Sequence, residues 1–296
     1  MKRLQETLRI DGQRLERYIF APDDGSPVRA AAIHFHGHGD YAMRYEETLA
    51  PFPARGVVCV AADLPGHGLS DGHRGCVPGW PVIDELLRLN RERCRELCPD
   101  GPLGILGHSA GGLIALRAVL RDRNRYAFSW LSSPLLRPEL TRHPLLVGIL
   151  RTAARLFPGL SVSTGVTREM CRHPHIDPLT GEDDDPSDDA LNHDRICLGW
   201  GNKLVIAGQW VRREFAARPP RTPILVTQGS EDAICPAPVI RELVAQAGAP
   251  SIRYEEFAGR LHEPFSDDGK EEVFAAVEEW LGAVLAETAQ EPSPSG

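Results

Sequence analysis

The chain of 296 residues reads as an α/β protein: a mostly parallel central sheet flanked by helices, with an inserted helical cap. Three observations carry that reading. Short apolar runs rich in Val, Ile, Leu and Ala alternate with longer segments of helical period, the pattern of parallel strands covered on both faces. One stretch, from about Pro134 to Pro220, breaks the alternation and holds amphipathic helical patterns instead. Finally, one apolar run ends in Gly107-His108-Ser109-Ala110-Gly111 and passes directly into a helical pattern.

Taken in order, "TLRIDGQRLERYIF" (7–20) alternates about Asp11-Gly12, whose types suit a tight reversal, so it predicts a β-hairpin. Strands are expected at 29–35 (RAAAIHF), 56–63 (GVVCVAAD), 102–107 (PLGILG), 127–133 (AFSWLSS), 222–229 (TPILVTQG) and 251–257 (SIRYEEF). Helices fall between them, near 44–54, 80–98, 110–121, 236–247 and 269–288. The organisation that follows is a core in two parts, 1–133 and 221–288, interrupted by a cap at 134–220. The last residues, 289–296, are polar with Pro and Gly and are expected to be a disordered tail.

Composition narrows the function classes. A net charge of −8 argues against a nucleic-acid surface and offers no basic face to anionic lipid. "MKRLQETLRIDG" has no apolar run behind its basic residues, so it does not read as a signal peptide. No stretch approaches the about 20 apolar residues that cross a bilayer, so no transmembrane segment is expected. The seven cysteines are odd in number and scattered without a C-x-x-C, which predicts mostly reduced, half-buried thiols and a cytoplasmic protein.

The chemistry centres on Ser109. G-x-S-x-G after a strand and before a helix is the setting of a nucleophile elbow, with glycines on both sides because a Cβ there would meet strand or helix. The helix N-terminus behind the serine favours negative charge. A serine nucleophile needs a base, and the base an orienting acid, in the chain order Ser, Asp, His. Asp232 follows the strand at 222–229 and His262 follows the strand at 251–257, so both are expected on the same sheet edge as Ser109. Glu231 and Glu263 compete for the acid's role; Asp232 is preferred because it sits farther past its strand.

"HFHGHGD" (34–40) raises a metal reading, since His36, His38 and Asp40 nearly spell the H-x-H-x-D-H ligand pattern of binuclear zinc hydrolases. The last ligand position is Tyr41, no distant partners are evident, and zinc leaves the Ser109 elbow unexplained. The alternative places this loop over the nucleophile, where the His38 amide joins that of Ala110, the residue after Ser109, as an oxyanion hole. His34, inside the strand, reads as a core histidine. No metal and no cofactor is called for.

These residues resemble the monoglyceride lipase and lysophospholipase branch of the α/β-hydrolase superfamily, also labelled serine aminopeptidase-like. "HGHGDYAMRYEETLAPFPARGVVCVAADLPGHGLSDGHRG" is similar to that branch's H-G-x-G-E-H-x-x-R-Y followed by D-x-x-G-H-G-x-S-x-G-x-R-G, and "GHSAGG" to its G-H-S-M-G-G. "TPILVTQGSEDAICP" and "HEPF" resemble the acid and base segments, "LFPGLSV" and "NHDRICLGWGNKLVIAGQ" cap segments. The resemblance implies Ser109 as nucleophile, Asp232 as acid, His262 as base, the His38 and Ala110 amides as oxyanion hole, and hydrolysis of carboxylic esters. Tyr41 stands where the branch usually has His, and His38 where a small or aliphatic residue is usual, which would put an imidazole at the mouth of the acyl site.

Expected substrate contacts are His108 and Tyr41 beside the elbow and Leu145 and Ile149 on the cap. With Leu146, Leu150, Leu156 and Phe157 the last two form an apolar stripe, which lines an acyl channel or packs as core. The acidic run Glu182 to Asp189 reads as a solvated loop, since it lacks the glycine of a calcium loop. The substrate would be a small-molecule ester, lipids among the candidates, with transient membrane-surface contact through the cap. Peptidase or amidase activity, a non-catalytic binding protein and a metallohydrolase are the competing readings.

Overall fold

The computed structural model describes residues 1–23, 25–137, 144–173 and 190–288. Strands β1 (Lys2–Ile10) and β2 (Gln13–Ala21) form the hairpin, turning at Asp11 and Gly12, both with positive φ. There follow β3 (Ala30–Phe35), α1 (Glu46–Leu49), β4 (Val57–Ala62), α2 (Trp80–Leu97), β5 (Leu103–His108), α3 (Ala110–Arg121) and β6 (Phe128–Ser132). The segment that broke the rhythm holds α4 (Pro144–Leu156), β7 (Ser161–Ser163), α5 (Arg168–Cys171), β8 (Arg195–Cys197) and α6 (Leu198–Ala217). The chain then completes β9 (Ile224–Gly229), α7 (Ala237–Ala247), β10 (Ile252–Phe257) and α8 (Lys270–Thr288).

The eight-stranded sheet runs β1-β2-β4-β3-β5-β6-β9-β10. β1 and β2 pair antiparallel at one edge, and every pair from β4 to β10 is parallel. Every residue of β3, β4 and β5 is buried, which is why their sequences are continuous apolar runs rather than alternating ones. On one face Ile33, Phe35, Ile105 and Leu131 pack against α2, α3, α6 and α7 through Leu86, Leu113, Val211 and Ile240. On the other, Ala32, Leu106, Trp130 and Leu225 meet Tyr45, Leu49, Phe52 and the Val277 and Leu281 side of α8. The connection from β3 to β4 thus crosses one face and the α3 connection from β5 to β6 crosses the other. That reversal opens a crevice at the C-terminal ends of β3 and β5.

Two expectations are corrected. The helix expected over 44–54 is broken: 3-10 turns at Ala42–Tyr45 and Pro53–Arg55 flank the single α-turn of α1, because Pro51 and Pro53 cannot donate to a continuing helix. The inserted segment is not purely helical either, since β7 and β8 pair antiparallel as a two-stranded ribbon. The acidic run at 182–189 and the tail at 289–296 lie outside the described residues. No described helix is long and apolar enough to cross a membrane.

Candidate active site

Ser109 sits between β5 and α3 with φ 52° and ψ −118°, one of three non-glycine residues among those described with positive φ. That sparsely populated backbone is strained, and its neighbours make it possible. A Cβ on Gly107 would run into the Gly111 backbone, and one on Gly111 would run into the carbonyl of Phe35. Ser109 is clamped by its own backbone: its N–H donates to Ser132 O at 2.9 Å, and its carbonyl accepts from Leu113 and Leu135. The turn is therefore held by β3, β6 and α3 together. The Ala110 N–H, at the first position of α3, has no acceptor within the helix and is free for a ligand.

The loop after β3 closes over this turn. A Cβ on Gly37 would stand 3.5 Å from the Ser109 Cβ and 3.1 Å from the His108 ring. Gly37 N–H donates to the Tyr45 hydroxyl at 3.3 Å. The His38 ring does not reach the mouth of the site as its sequence position suggested. Its Nε2 is 2.9 Å from Arg195 O and its Nδ1 3.3 Å from His67 Nε2, so the ring turns under β8. Desolvation there pushes its pKa down to about 3, keeping it neutral.

Asp232 and His262 come together as the sequence order implied, with His262 Nδ1 2.7 Å from Asp232 Oδ2. Both are buried. Asp232 is prepared by the loop after β9: Oδ1 accepts from the amides of Ile234 and Cys235 at 2.8 Å, and Oδ2 accepts from Gln228 Nε2 at 2.8 Å. Burial alone would raise the Asp232 carboxyl, but the His262 charge and these hydrogen bonds outweigh it and hold it below the usual range. Burial alone would likewise depress His262, but the Asp232 carboxylate facing it raises its pKa above 6.5. With Nδ1 committed to Asp232, Nε2 is the nitrogen left to face a substrate or serine. The buried Cys235 thiol lies beside the same acid, and burial holds its pKa well above the usual value.

Glu263, the rejected competitor, does something else. Arg44 clasps its carboxylate with both terminal nitrogens, at 3.0 and 2.6 Å, and also pairs with Asp40 at 2.9 Å. Arg172, just past α5, adds a contact at 3.4 Å. Two carboxylates and two guanidiniums thus form a buried, charge-balanced cluster next to His262. The sequence signals were Arg44 in the R-Y motif and the Glu after the His, but nothing in spacing joined them. Gln228 was missed as well; a polar residue ending a fully buried strand was the available clue.

Other predicted contacts scatter. His108 is buried behind the site, its ring centroid 4.7 Å from that of His262 and 5.0 Å from that of Phe265, a wall rather than a pocket face. Burial pushes its pKa down to about 3. Tyr41 is half-buried, its amide donating to Asp40 Oδ1. Leu145 and Ile149 are 80% and 59% exposed on α4, so they do not pack as core. His34 is buried, with burial holding its pKa well below 6.5.

The three would-be zinc ligands diverge. His36 Nε2 accepts from Leu64 N–H, His38 points to Arg195, and Asp40 pairs with Arg44. Donor atoms of Asp232, Cys235 and His262 do cluster within 4.8 Å, but an ion there would displace the hydrogen bonds that both Asp232 oxygens already accept. A second cluster, His73 with Cys76 and Cys197, contains a bonded cystine. The sequence predicts mostly unpaired, half-buried thiols; five described cysteines are free, four of them buried. Cys76 and Cys197 are 121 residues apart, so no local spacing announced the pair.

A strained serine at a β5–α3 turn, set at the crevice of a mostly parallel sheet beside a paired acid and histidine, defines an α/β-hydrolase. Comparison sharpens the class. The model of the serine aminopeptidase S33 family (Hydrolase_4) matches residues 26–269, and the chain belongs to that family. A monoacylglycerol lipase of Mycolicibacterium smegmatis is 26% identical over 92% of this chain and 94% of its own length. Phospholipase YtpA of Bacillus subtilis is 27% identical over 83% of this chain and 93% of its own. Among solved structures, Paleococcus ferrophilus monoacylglycerol lipase superposes with a TM-score of 0.77 at 26% identity, covering 91% of this chain and 99% of that one. A soluble variant of Saccharomyces cerevisiae monoglyceride lipase shares the fold, with a TM-score of 0.81 at 18% identity over 94% of each chain.

Proposed function

We propose that this protein cleaves carboxylic esters, of monoacylglycerol, lysophospholipid or short-to-medium acyl type, through an acyl-enzyme on Ser109. The observation that supports the reading is the strained Ser109 turn, whose neighbour His108 has its ring 4.7 Å from that of His262, together with the 2.7 Å His262–Asp232 pair. In the first half, His262 Nε2 accepts the Ser109 proton as Oγ attacks the ester carbonyl carbon. The amides of His38 and Ala110 hold the tetrahedral oxyanion, each worth about 3 kcal/mol. Collapse breaks the bond from acyl carbon to alcohol oxygen, and His262 returns its proton to the departing alcohol. Water then repeats the sequence and frees the acid. Asp232 keeps the proton on Nδ1 and stabilises the imidazolium.

Residues 134–220 act in this proposal as a cap. The exposed apolar face of α4 and its continuation, with Leu145, Ile149, Leu156 and Phe157, supports a role in meeting acyl chains or a lipid surface. The test is hydrolysis of a p-nitrophenyl ester series from acetate to palmitate, by wild type and Ser109→Ala, with and without EDTA. Activity that vanishes in Ser109→Ala and ignores EDTA is expected, with the chain-length optimum sizing the pocket. Survival in Ser109→Ala would overturn the reading. The name of the matched family favours one second reading, amide cleavage, and aminoacyl p-nitroanilides included in the panel separate the two.

A further inference from the structure

The Cys76–Cys197 bond joins the loop after β4 to the last residue of β8, with the Cα atoms 5.0 Å apart. What β8 touches gives the bond its interest. Cys197 N–H donates to Gly75 O at 3.1 Å, and a Cβ on Gly75 would run into the Arg195 carbonyl. Just before β8, His193 N–H donates to Gly39 O at 2.9 Å, and a Cβ on Gly39 would run into the His193 carbonyl. Between these two glycine contacts the Arg195 carbonyl holds the His38 ring at 2.9 Å. The segment 193–195 therefore holds the His38 ring and the carbonyl of the next residue, Gly39, and Cys197 sits two residues past Arg195.

The cystine is also built to exchange. Cys76 is half-buried whereas Cys197 is buried, so an incoming thiolate meets the Cys76 sulfur. The exposed His73 has Nδ1 3.2 Å from Cys76 Sγ, placed to hydrogen-bond a thiol or thiolate there. The Gly159 carbonyl lies 3.5 Å from Cys197 Sγ, placed to accept from a reduced thiol. The five free cysteines all have thiols raised by burial, which suppresses their thiolates.

We infer that Cys76–Cys197 is a thiol–disulfide exchange site for small thiols, and that reducing it loosens β8 from the loop carrying the His38 amide and slows acyl transfer. The role of that amide rests on the ester-hydrolase reading above. The chemistry balances with two equivalents of a small thiol. The first thiolate attacks Cys76 Sγ and expels the Cys197 thiolate, leaving a mixed disulfide on Cys76. The second attacks the outer sulfur, expels the Cys76 thiolate and leaves as the oxidised small disulfide. The cystine gains two electrons and two protons, and the two small thiols lose them. Oxidised glutathione reverses the exchange.

The full chain is tested as purified, after dithiothreitol, and after re-oxidation with oxidised glutathione. Thiols are counted in denaturant, and kcat and KM are measured on p-nitrophenyl acetate. Five thiols are expected in the oxidised form and seven in the reduced form. On reduction kcat should fall about tenfold, a fraction of what a whole oxyanion donor supplies, with KM nearly unchanged and full recovery on re-oxidation. Cys76→Ser should hold the reduced value and ignore dithiothreitol. Should that variant not fold, Cys197→Ser and the reversible titration of wild type carry the test. Seven thiols before reduction, equal kcat in the two forms, or a Cys76→Ser protein that still responds would each overturn the inference. The thiol count does not depend on hydrolysis, and Ser109→Ala tests hydrolysis without a reductant, so the two readings fail separately.

Discussion

Arg44→Met removes the guanidinium on which both buried carboxylates beside His262 depend. In the native cluster Glu263 is held by Arg44 and Arg172, and Asp40 by Arg44. Burial alone would raise the Glu263 carboxyl, yet the Arg44 charge outweighs it and brings the pKa from 4.5 down to about 2. A depression of that size corresponds to about 3 kcal/mol of folding stability. Breaking one partner of a buried pair costs about 3–5 kcal/mol, and the surviving Arg172 places the loss near the lower figure. The sign fixes the pH window. A carboxyl with a depressed folded pKa contributes above its unfolded value of 4.5, and the contribution is lost as pH falls toward about 2. Thermal melts at pH 7 should thus show the variant about 5 °C lower than wild type, with the gap narrowing as pH falls below 4.5. Adding Glu263→Gln should recover part of the loss. A melting temperature within about 2 °C of wild type at pH 7 would refute the reasoning, because it would mean the cluster is solvated.

Gly111→Ala drives a Cβ into the Phe35 carbonyl, so it should shift the Ser109 turn and lower kcat at least about a hundredfold on p-nitrophenyl acetate. Asp232→Asn should cut kcat by about 10³–10⁴, measured on the same ester, since the amide no longer fixes the His262 tautomer. For wild type, kcat/KM should rise with pH along an acid limb above 6.5, because the base works neutral and Asp232 raises its pKa; in Asp232→Asn that limb should move down. Leu145→Asp with Ile149→Asp should leave the melting temperature and acetate hydrolysis unchanged while lowering turnover of long acyl esters, since both side chains are exposed.

What was legible in the sequence was what local rules determine. β3, β4 and β5 announced themselves as continuous apolar runs because burial on both faces admits nothing else. The turn at Ser109 showed because its glycines answer a steric demand within five residues. The pairing of Asp232 with His262 followed from strand order, which puts both loops on one sheet edge. What stayed hidden depends on the inserted segment meeting the core. The direction of the His38 ring is set by a carbonyl 157 residues away, and the Arg44–Glu263 pair spans 219 residues. The Cys76–Cys197 bond is of the same kind. The exposure of Leu145 also escaped, because helical periodicity marks an apolar face without saying whether anything covers it.

The parallel pairing of β6 with β9 has a consequence for how this protein could be re-engineered. The chain leaves the top of β6 and must re-enter at the bottom of β9, so some element has to travel the depth of the sheet. α6 makes that journey, burying Trp200, Leu204, Val211 and Phe215 in the same core as α3. The scaffold therefore owns α6, whereas α4 presents Leu145 and Ile149 to solvent and, among the described residues, carries no part of that core. A graft that replaces α4 and ends before Arg168 leaves the crossover intact, together with the contacts of Arg172 and Arg195. A swap cut at the far end of α6 removes the return path and the core with it.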